Sequence, residues 1–272
     1  MLTARFLRHR SAARAVAVGA VLVLLLQGVL SLGVRSGAAQ EDAAAQEILT
    51  GAARAMAGVQ SFQFSLTTEQ GQTIIMDALE LKDVTGAIQR PDRFRAVASA
   101  SVAILEVDVE VIGIGTQLWV KNPLGGAAGG EEYIEVDLSE GGTEQALAEL
   151  VNPDRILLRA VDLLENPVVR GEDEIDGVAT TVIEGTFDPS EAIGLVPGTP
   201  AVASDAATQA AVETGLELAG PVPTLIWIDA DGLVRRIRVE GPILTSEATD
   251  VVRRLDLFAY NEPVEIEAPV TE

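Results

Sequence analysis

The sequence predicts an α+β fold in which one large antiparallel β-sheet is accompanied by a few amphipathic helices. Apolar and polar residues alternate in many short segments, which is the pattern of strands with one buried face. Residues 43–58 and 153–164 instead carry apolar residues at helical spacing. Asp231 and Gly232 separate two apolar segments and favour a tight hairpin between them. Sheet and helix signals thus occur in one chain without regular alternation, which favours an antiparallel meander.

The first half of the chain begins with a helix and continues as strands. In residues 43–58 apolar side chains recur every three or four positions, and Gly58 marks the end of the helix. Phe62, Phe64 and Leu66 then alternate with polar residues, which predicts a half-buried strand at 61–67. A turn is expected at 90–92, and further strands are expected at 73–81, 93–100, 103–112, 113–121 and 133–138.

The second half returns from helix to sheet. Helices are expected at 143–151 and 153–164, the second with Pro153 in its first turn. Residues 168–187 read as a hairpin that turns near 176–177, and residues 189–219 form an alanine-rich connection. The last strands are expected at 222–228, 233–239 and 251–260, before a tail at 264–267. No internal repeat or linker interrupts this order, so residues 40–272 are expected to form a single domain.

The N-terminal segment predicts export. Four arginines precede an apolar segment that begins at Ala15, and small residues follow at 36–39. This pattern is typical of a secretory signal peptide at residues 1–39, cleaved after Ala39. The alternative is an uncleaved anchor, because residues 15–34 are almost long enough to span a bilayer. Either interpretation places the remainder outside the cytoplasm, in the cell envelope or beyond it.

The charge of the chain restricts its partners. The 272 residues include 19 Lys and Arg against 41 Asp and Glu, a formal charge of −22. Residues 1–39 hold five arginines and no acidic residue, so their removal would change the formal charge from −22 to −27. Such a surface repels nucleic acid. It also offers no polybasic face for adsorption to anionic lipid, so any membrane contact is expected to be transient.

The residue inventory argues against catalysis. There is no cysteine, and the one histidine, His9, lies in the segment expected to be removed. This excludes thiol and histidine-based nucleophilic catalysis and the commonest metal ligands. We therefore expect a protein that is not an enzyme, with no catalytic residues, no cofactor and no metal site.

Two groups of acidic residues bear on this expectation. Asp229, Asp231 and Gly232 invite a calcium interpretation, but Val234 stands where an EF-hand loop needs glycine, so a hairpin turn is favoured. Glu106, Asp108 and Glu110 share one strand face. A glycosidase would need such a carboxylate pair, but we expect a solvated outer face because no group of aromatic residues accompanies them.

The apolar residues are the informative feature. Strand segments such as 74–76 and 225–228 are apolar on both faces, and the helices carry wide apolar stripes. A curved antiparallel sheet with helices on its concave side can enclose an apolar cavity. Aliphatic residues with few aromatics suit acyl chains better than flat rings. The alternative is that these side chains simply fill a core.

Several short motifs resemble one family of proteins. Residues 176–185 (DGVATTVIEG) and 226–236 (IWIDADGLVRR) are similar to strand and turn motifs of the LppX/LprA/LprF/LprG group of actinobacterial envelope lipoproteins. The final strand at 251–260, the segment 61–65 and the segment 86–94 also fit, and the likeness extends over about residues 44–269. The resemblance implies a LolA-like antiparallel β half-barrel with helices covering its concave face. It also implies binding of acylated glycolipids or phospholipids in an apolar cavity, and their movement across the envelope.

This sequence departs from that family at the anchor. The family usually attaches itself to the membrane through a lipidated cysteine at the end of the signal, and this chain has no cysteine. We therefore expect no cysteine-linked anchor, and either a secreted carrier or one tethered by an uncleaved N-terminal helix.

The functional hypothesis is a non-catalytic lipid-binding and transport protein of the cell envelope. Its partners would be an acylated lipid and an envelope transporter or acceptor protein. The alternative is a protein-binding module on the same fold that senses envelope stress. The candidate cavity residues are inward positions of the first strands and the covering helices: Phe62, Phe64, Leu66, Ile74, Met76, Ile156, Leu157, Val161 and Trp227.

Overall fold

The computed structural model describes residues 41–75, 79–102, 105–121, 132–137, 164–189 and 219–270. The expected signal segment at 1–39 lies outside this part of the chain. So do the helix expected at 143–151, nearly all of the helix expected at 153–164 and most of the connection at 189–219.

The described chain consists of one helix and twelve strands. Helix α1 spans Glu41–Ala57, and no helix in the described ranges is both long and apolar enough to cross a membrane. The strands are β1 Ser61–Gln70, β2 Thr73–Ile75, β3 Leu79–Gln89, β4 Arg93–Val102, β5 Leu105–Ile114, β6 Gln117–Lys121, β7 Tyr133–Asp137, β8 Glu165–Ile175, β9 Val178–Phe187, β10 Val222–Asp229, β11 Val234–Glu240 and β12 Val252–Phe258.

All twelve strands belong to one antiparallel sheet. Eleven of them follow the order β7-β6-β5-β4-β3-β1-β12-β11-β10-β9-β8, and the short β2 pairs with β3. Within the described residues the edge strands β7 and β8 do not pair with each other, so the sheet is open. The predicted α+β class with a large antiparallel meander is confirmed.

One face of the sheet carries the main apolar core. Side chains alternate between the two faces of a strand, so Phe62, Phe64 and Leu66 of β1 point to the same side. We call the side of the sheet that carries these three residues the inner face. Leu49 and Met56 of α1 are each 1% exposed and belong to the same apolar cluster, so the helix packs on the inner face.

Helix α1 lies towards the β8 end of the inner face. It contacts β8, and Gly232 in the β10–β11 hairpin lies so close that an added Cβ would stand 3.0 Å from the Ala55 Cβ atom. Its last turn is held by Arg90, whose guanidinium donates hydrogen bonds to the carbonyl oxygens of Ala57 (2.5 Å) and Met56 (2.7 Å). These bonds satisfy carbonyl groups that a helix end leaves without partners.

The C-terminal segment after β12 crosses the opposite face, which we call the outer face. Ile266 is 2% exposed and packs with Ile112 and Trp119. The guanidinium of Arg93 donates a hydrogen bond to the Ile266 carbonyl oxygen (2.8 Å). The tail expected at 264–267 therefore covers an apolar patch on β5 and β6.

The prediction of one strand at 73–81 is wrong, because this segment contains β2 and the start of β3, which pair with each other as antiparallel strands. Most of β3 was missed, because Lys82, Asp83 and Gly86 interrupt the apolar alternation although Val84 and Ile88 remain buried. Strand β5 also extends through Gly113, which had been expected to begin the next strand. Glycine is depleted from strands in general, and a neighbouring side chain explains its presence here.

The ring of Phe94 occupies the space beside Gly113. A Cβ atom added at Gly113 would lie 2.1 Å from Cε1 of Phe94. We expect Gly113→Ala to lower the free energy of unfolding by about 1–3 kcal/mol, since the ring must move within a packed core. Urea unfolding followed by circular dichroism measures this change.

Gly51 supplies the matched control for this substitution. It lies inside α1, and an added Cβ would meet nothing within 4 Å. Gly51→Ala is expected to raise the free energy of unfolding by about 1 kcal/mol through helix propensity. Equal effects of the two substitutions would show that the Phe94 ring does not hold the position that the structure gives it.

Candidate functional site

Strand β1 lies at the centre of the inner face, with five strands on either side of it in the sheet order. Phe62, Phe64 and Leu66 are 3%, 2% and 4% exposed. Phe64 lies between Gly86 on β3 and Leu257 on β12, and its ring fills the space that a side chain at Gly86 would occupy. This packing makes the centre of the sheet continuous and apolar.

The β4–β6 part of the inner face is lined by small and branched aliphatic side chains. Ala96, Ala98 and Ala100 occupy alternate inner positions of β4 and are all buried. In the register with β5, Ala98 pairs with Val109 and Ala96 pairs with Val111. Three consecutive inner positions of β4 therefore carry only a methyl group as side chain.

Larger side chains line the β9–β11 part of the same face. Ile183, Ile226 and Ile237 are 0%, 0% and 4% exposed and belong to one cluster with Leu49 of α1. Branched side chains and the helix fill this part of the inner face. The two parts thus differ in the volume of their side chains.

The structure brings together three of the nine predicted cavity residues. Phe62, Phe64 and Leu66 share the inner face of β1. Ile74 lies in β2, next to the end of β1, where only the backbone is described. Four more of the nine lie outside the described residues: Met76, Ile156, Leu157 and Val161.

Trp227 lies on the outer face, away from this group. It packs with Ile175 and Val182, and its indole Nε1–H donates a hydrogen bond to a carboxylate oxygen of Asp173 (2.9 Å). Its neighbours Ile226 and Ile228 face inwards instead. Segment 225–228 is apolar on both faces because the outer face has an apolar cluster of its own.

The acidic residues of β5 are only partly solvated, in contrast to the expectation. Glu106 is exposed, whereas the side chain of Glu110 is 10% exposed and lies against Arg95. The hydroxyl of Tyr133 donates a hydrogen bond to Glu110 (3.0 Å). Burial of the ring, followed by this hydrogen bond, raises the pKa of Tyr133 above its ordinary value. The Glu110 carboxylate thus has a positively charged neighbour in Arg95 and a hydrogen-bond donor in Tyr133.

The hairpin interpretation of Asp229 is confirmed. One carboxylate oxygen accepts hydrogen bonds from the amides of Asp231 and Leu233, each at 2.9 Å, and the other lies 2.7 Å from Nε of Arg235. Gly232 adopts a φ of 80°, a conformation that glycine reaches without strain. The carboxylate is thus occupied in closing the β10–β11 turn.

Charged residues on the outer faces of β1, β11 and β12 form one network. Arg238 and Arg254 each contact a different carboxylate oxygen of Glu69, at 2.9 and 2.8 Å. Arg254 and Arg236 both contact Asp256, at 2.8 and 2.6 Å. The network joins the three central strands across the face opposite the core.

This network predicts a pH-dependent contribution to stability. Burial alone would raise the pKa of Glu69, but the hydrogen bonds and charges of Arg238 and Arg254 outweigh it and lower the pKa below its ordinary 4.5. A lowered pKa in the folded state stabilises the fold above about pH 4.5, and this contribution disappears as the pH falls through the folded-state pKa. We expect Glu69→Gln to cost up to about 1 kcal/mol at pH 7. Unfolding curves of the two proteins should converge near pH 2, and a constant difference across this range would contradict the assignment.

One charged pair lies on the inner face and was not among the predicted site residues. Arg253 and Glu247 contact each other, and both side chains are 2% exposed. The signal was present in β12, where Arg253 shares its face with Leu255 and Leu257. Side chains two and four residues apart in a strand lie on the same face, so Arg253 is expected to point inwards with the two leucines. A buried charge needs a partner, and Glu247 supplies it.

The described side chains include neither histidine nor cysteine. In these same ranges, no three acidic or histidine residues come close enough to hold a metal ion. The apolar cluster on the inner face favours contact with apolar groups.

Comparison with known proteins identifies the family. The model of the LppX_LprAFG lipoprotein family matches residues 44–266, so the chain belongs to this family. LprF proteins of Mycobacterium bovis and Mycobacterium tuberculosis, named for a proposed role as diacylated glycolipid transporters, are 28% identical over 153 residues. The match covers 56% of this chain and 56% of each LprF protein, so the chain spans about half the length of the curated relatives it matches.

Solved structures share the fold. The crystal structure of LprF from Mycobacterium bovis superposes with a TM-score of 0.54 at 20% identity, over 84% of this chain and 97% of that one. The structure of the lipoprotein LppX from Mycobacterium tuberculosis gives 0.52 at 16% identity, over 83% and 100%. The open antiparallel sheet thus matches the LolA-like half-barrel of these two proteins.

Proposed function

We propose that this member of the LppX_LprAFG family binds acylated lipids, glycolipids or phospholipids, and carries them within the cell envelope without catalysis. Family membership over residues 44–266 is the observation that carries the proposal. The continuous apolar inner face supports it, because acyl chains need such a surface to leave water.

The proposed binding site is a cavity whose floor is the inner face. Phe62, Phe64 and Leu66 would form its centre, and the alanines of β4 would make room for a chain beside them. Helices covering this floor are part of the proposal, with Ile74, Met76, Ile156, Leu157 and Val161 as further wall residues. Trp227 is left out because its side chain lies on the outer face.

The energetics of such a carrier require no chemical step. Each acyl CH₂ group removed from water contributes about 0.8 kcal/mol. A bilayer and an apolar cavity offer a chain nearly the same gain, so transfer between them is close to neutral. The protein would lower the barrier by keeping the chains out of water.

The location of the carrier follows from the N-terminal sequence. Residues 1–39 would direct export and then be removed, or residues 15–34 would remain as a tether. The chain has no cysteine, so a lipidated cysteine would not anchor it. An envelope transporter or acceptor protein would load or receive the lipid.

Native mass spectrometry tests the proposal. The chain is expressed in full in a bacterium with a lipid-rich envelope and purified without detergent, and the bound material is then extracted into organic solvent. A stoichiometric mass increment that extracts as a diacyl or triacyl lipid is the expected result. A bare protein mass that stays unchanged after incubation with lipid vesicles would contradict the proposal and favour the protein-binding alternative.

A further inference from the structure

The loop between β11 and β12 folds over one end of the inner face. Strands β1 and β11 end there and β12 begins there, since Val252 pairs with both Gln70 and Glu240. Residues 241–251 connect the two strands, and we call them the β11–β12 loop. Ile243 is 4% exposed and belongs to the same apolar cluster as the inner face. The loop therefore places an aliphatic side chain where the proposed lipid site ends.

The loop is joined to β12 through the buried Arg253–Glu247 pair. One carboxylate oxygen of Glu247 contacts Nη2 of Arg253. The other accepts hydrogen bonds from the amides of Ile243 (2.8 Å) and Leu244 (3.2 Å). A single carboxylate thus holds both the guanidinium and the turn that carries Ile243.

The same guanidinium reaches two further elements. Nε of Arg253 donates a hydrogen bond to Oγ1 of Thr73 in β2 (2.9 Å), and Nη1 donates to the carbonyl oxygen of Gly241 (3.3 Å). Thr73 in turn shares a hydrogen bond with Thr68 at the end of β1 (2.9 Å). A chain of polar contacts thus links β1, β2, β12 and the loop at one end of the apolar face.

A buried ion pair by itself adds little to the stability of a fold. Its desolvation cost offsets much of the attraction, and well-packed apolar side chains at the same positions are often as stable. Its contacts depend strongly on geometry, so they are lost together when one partner moves. Breaking this pair would release the turn at Ile243 and withdraw that side chain from the inner face.

We propose that the β11–β12 loop is the gate of the lipid site and that the Arg253–Glu247 pair holds it closed. This inference rests on the lipid-carrier function proposed above and adds its point of entry. When the pair opens, Ile243 leaves the apolar cluster and an acyl chain of the lipid takes its place. When the pair forms again, the loop closes the end of the site.

The test measures lipid transfer by the full chain. Donor phosphatidylcholine vesicles carry a fluorescent phosphatidylglycerol, and its arrival in acceptor vesicles is followed over time. Glu247→Gln removes the charge and is expected to speed transfer by about tenfold or more, with unchanged lipid stoichiometry. Hydrogen exchange of the Ile243 and Leu244 amides should accelerate by the same factor.

Asp250→Asn is the matched control, because Asp250 is an exposed acid of the same loop. It should change neither the transfer rate nor the exchange of the two amides. If Glu247→Gln does not fold, Arg253→Lys weakens the same pair while keeping its charge, and faster transfer is again expected. If these variants transfer lipid at the rate of the wild-type chain, the gate is overturned and the carrier function is not. Absence of any lipid transfer by the wild-type chain would overturn the carrier function and the gate with it.

Discussion

Ala98→Phe is expected to reduce the amount of lipid bound to the purified chain by about tenfold or more. Ala98 occupies the middle inner position of β4, between Val84 on β3 and Val109 on β5. A phenyl ring there would occupy the space that a bound acyl chain would need beside the three alanines on the proposed floor of the site. The ring would also strain the surrounding packing, at a cost of about 1–3 kcal/mol in stability. Native mass spectrometry of the purified variant measures the bound lipid.

Val97→Phe separates a blocked site from a damaged fold. Val97 is the preceding residue of the same strand, and its side chain lies on the outer face. This variant should retain a stoichiometric lipid. Equal lipid contents in both variants would contradict the assignment of the lipid to the inner face.

The second large effect is expected at the centre of the core. Phe64→Ala should lower the free energy of unfolding by about 3–5 kcal/mol, because it leaves a cavity beneath buried side chains. Phe64 is 2% exposed and its ring also fills the space over Gly86, so both strands lose contacts. Denaturant unfolding of the purified variant measures this loss.

Phe258→Ala makes the same chemical change nearby. Phe258 pairs with Gln63, next to the Phe64–Leu257 pair, but points to the outer face and is 41% exposed. Its substitution should cost less than about 1 kcal/mol. A loss at Phe258 as large as that at Phe64 would show that the core does not lie on the face that the structure assigns.

The sequence predicted the parts of the fold in which local pattern and burial agree. Phe62, Phe64 and Leu66 alternate cleanly with polar residues, and the structure buries all three. The Asp231–Gly232 hairpin was predicted for a similar reason, since turn geometry restricts the residue type. Strand β3 was missed because Gly86 interrupts the apolar pattern of its inner face. The ring of Phe64 on the neighbouring strand fills the space beside Gly86. That compensation is not visible in local sequence.

The candidate site was harder to predict because a strand that is apolar on both faces does not reveal which face is inner. Trp227 was expected to point inwards, yet it packs with Ile175 and Val182 on the outer face. Arg253 was overlooked because a charged residue is normally expected outside, although its spacing from Leu255 and Leu257 pointed inwards. Both assignments depend on which strands become neighbours, and that is a property of the whole sheet.

Photo-crosslinking with an acyl-chain probe tests the central claim that the inner face holds acyl chains. A phospholipid with a photoreactive group near the end of one chain is loaded onto the protein, irradiated and mapped by peptide mass spectrometry. Adducts are expected at inner positions of the sheet, including Ala98, Val109 and Leu66. Adducts confined to outer-face residues such as Val97 or Ile112 would contradict it.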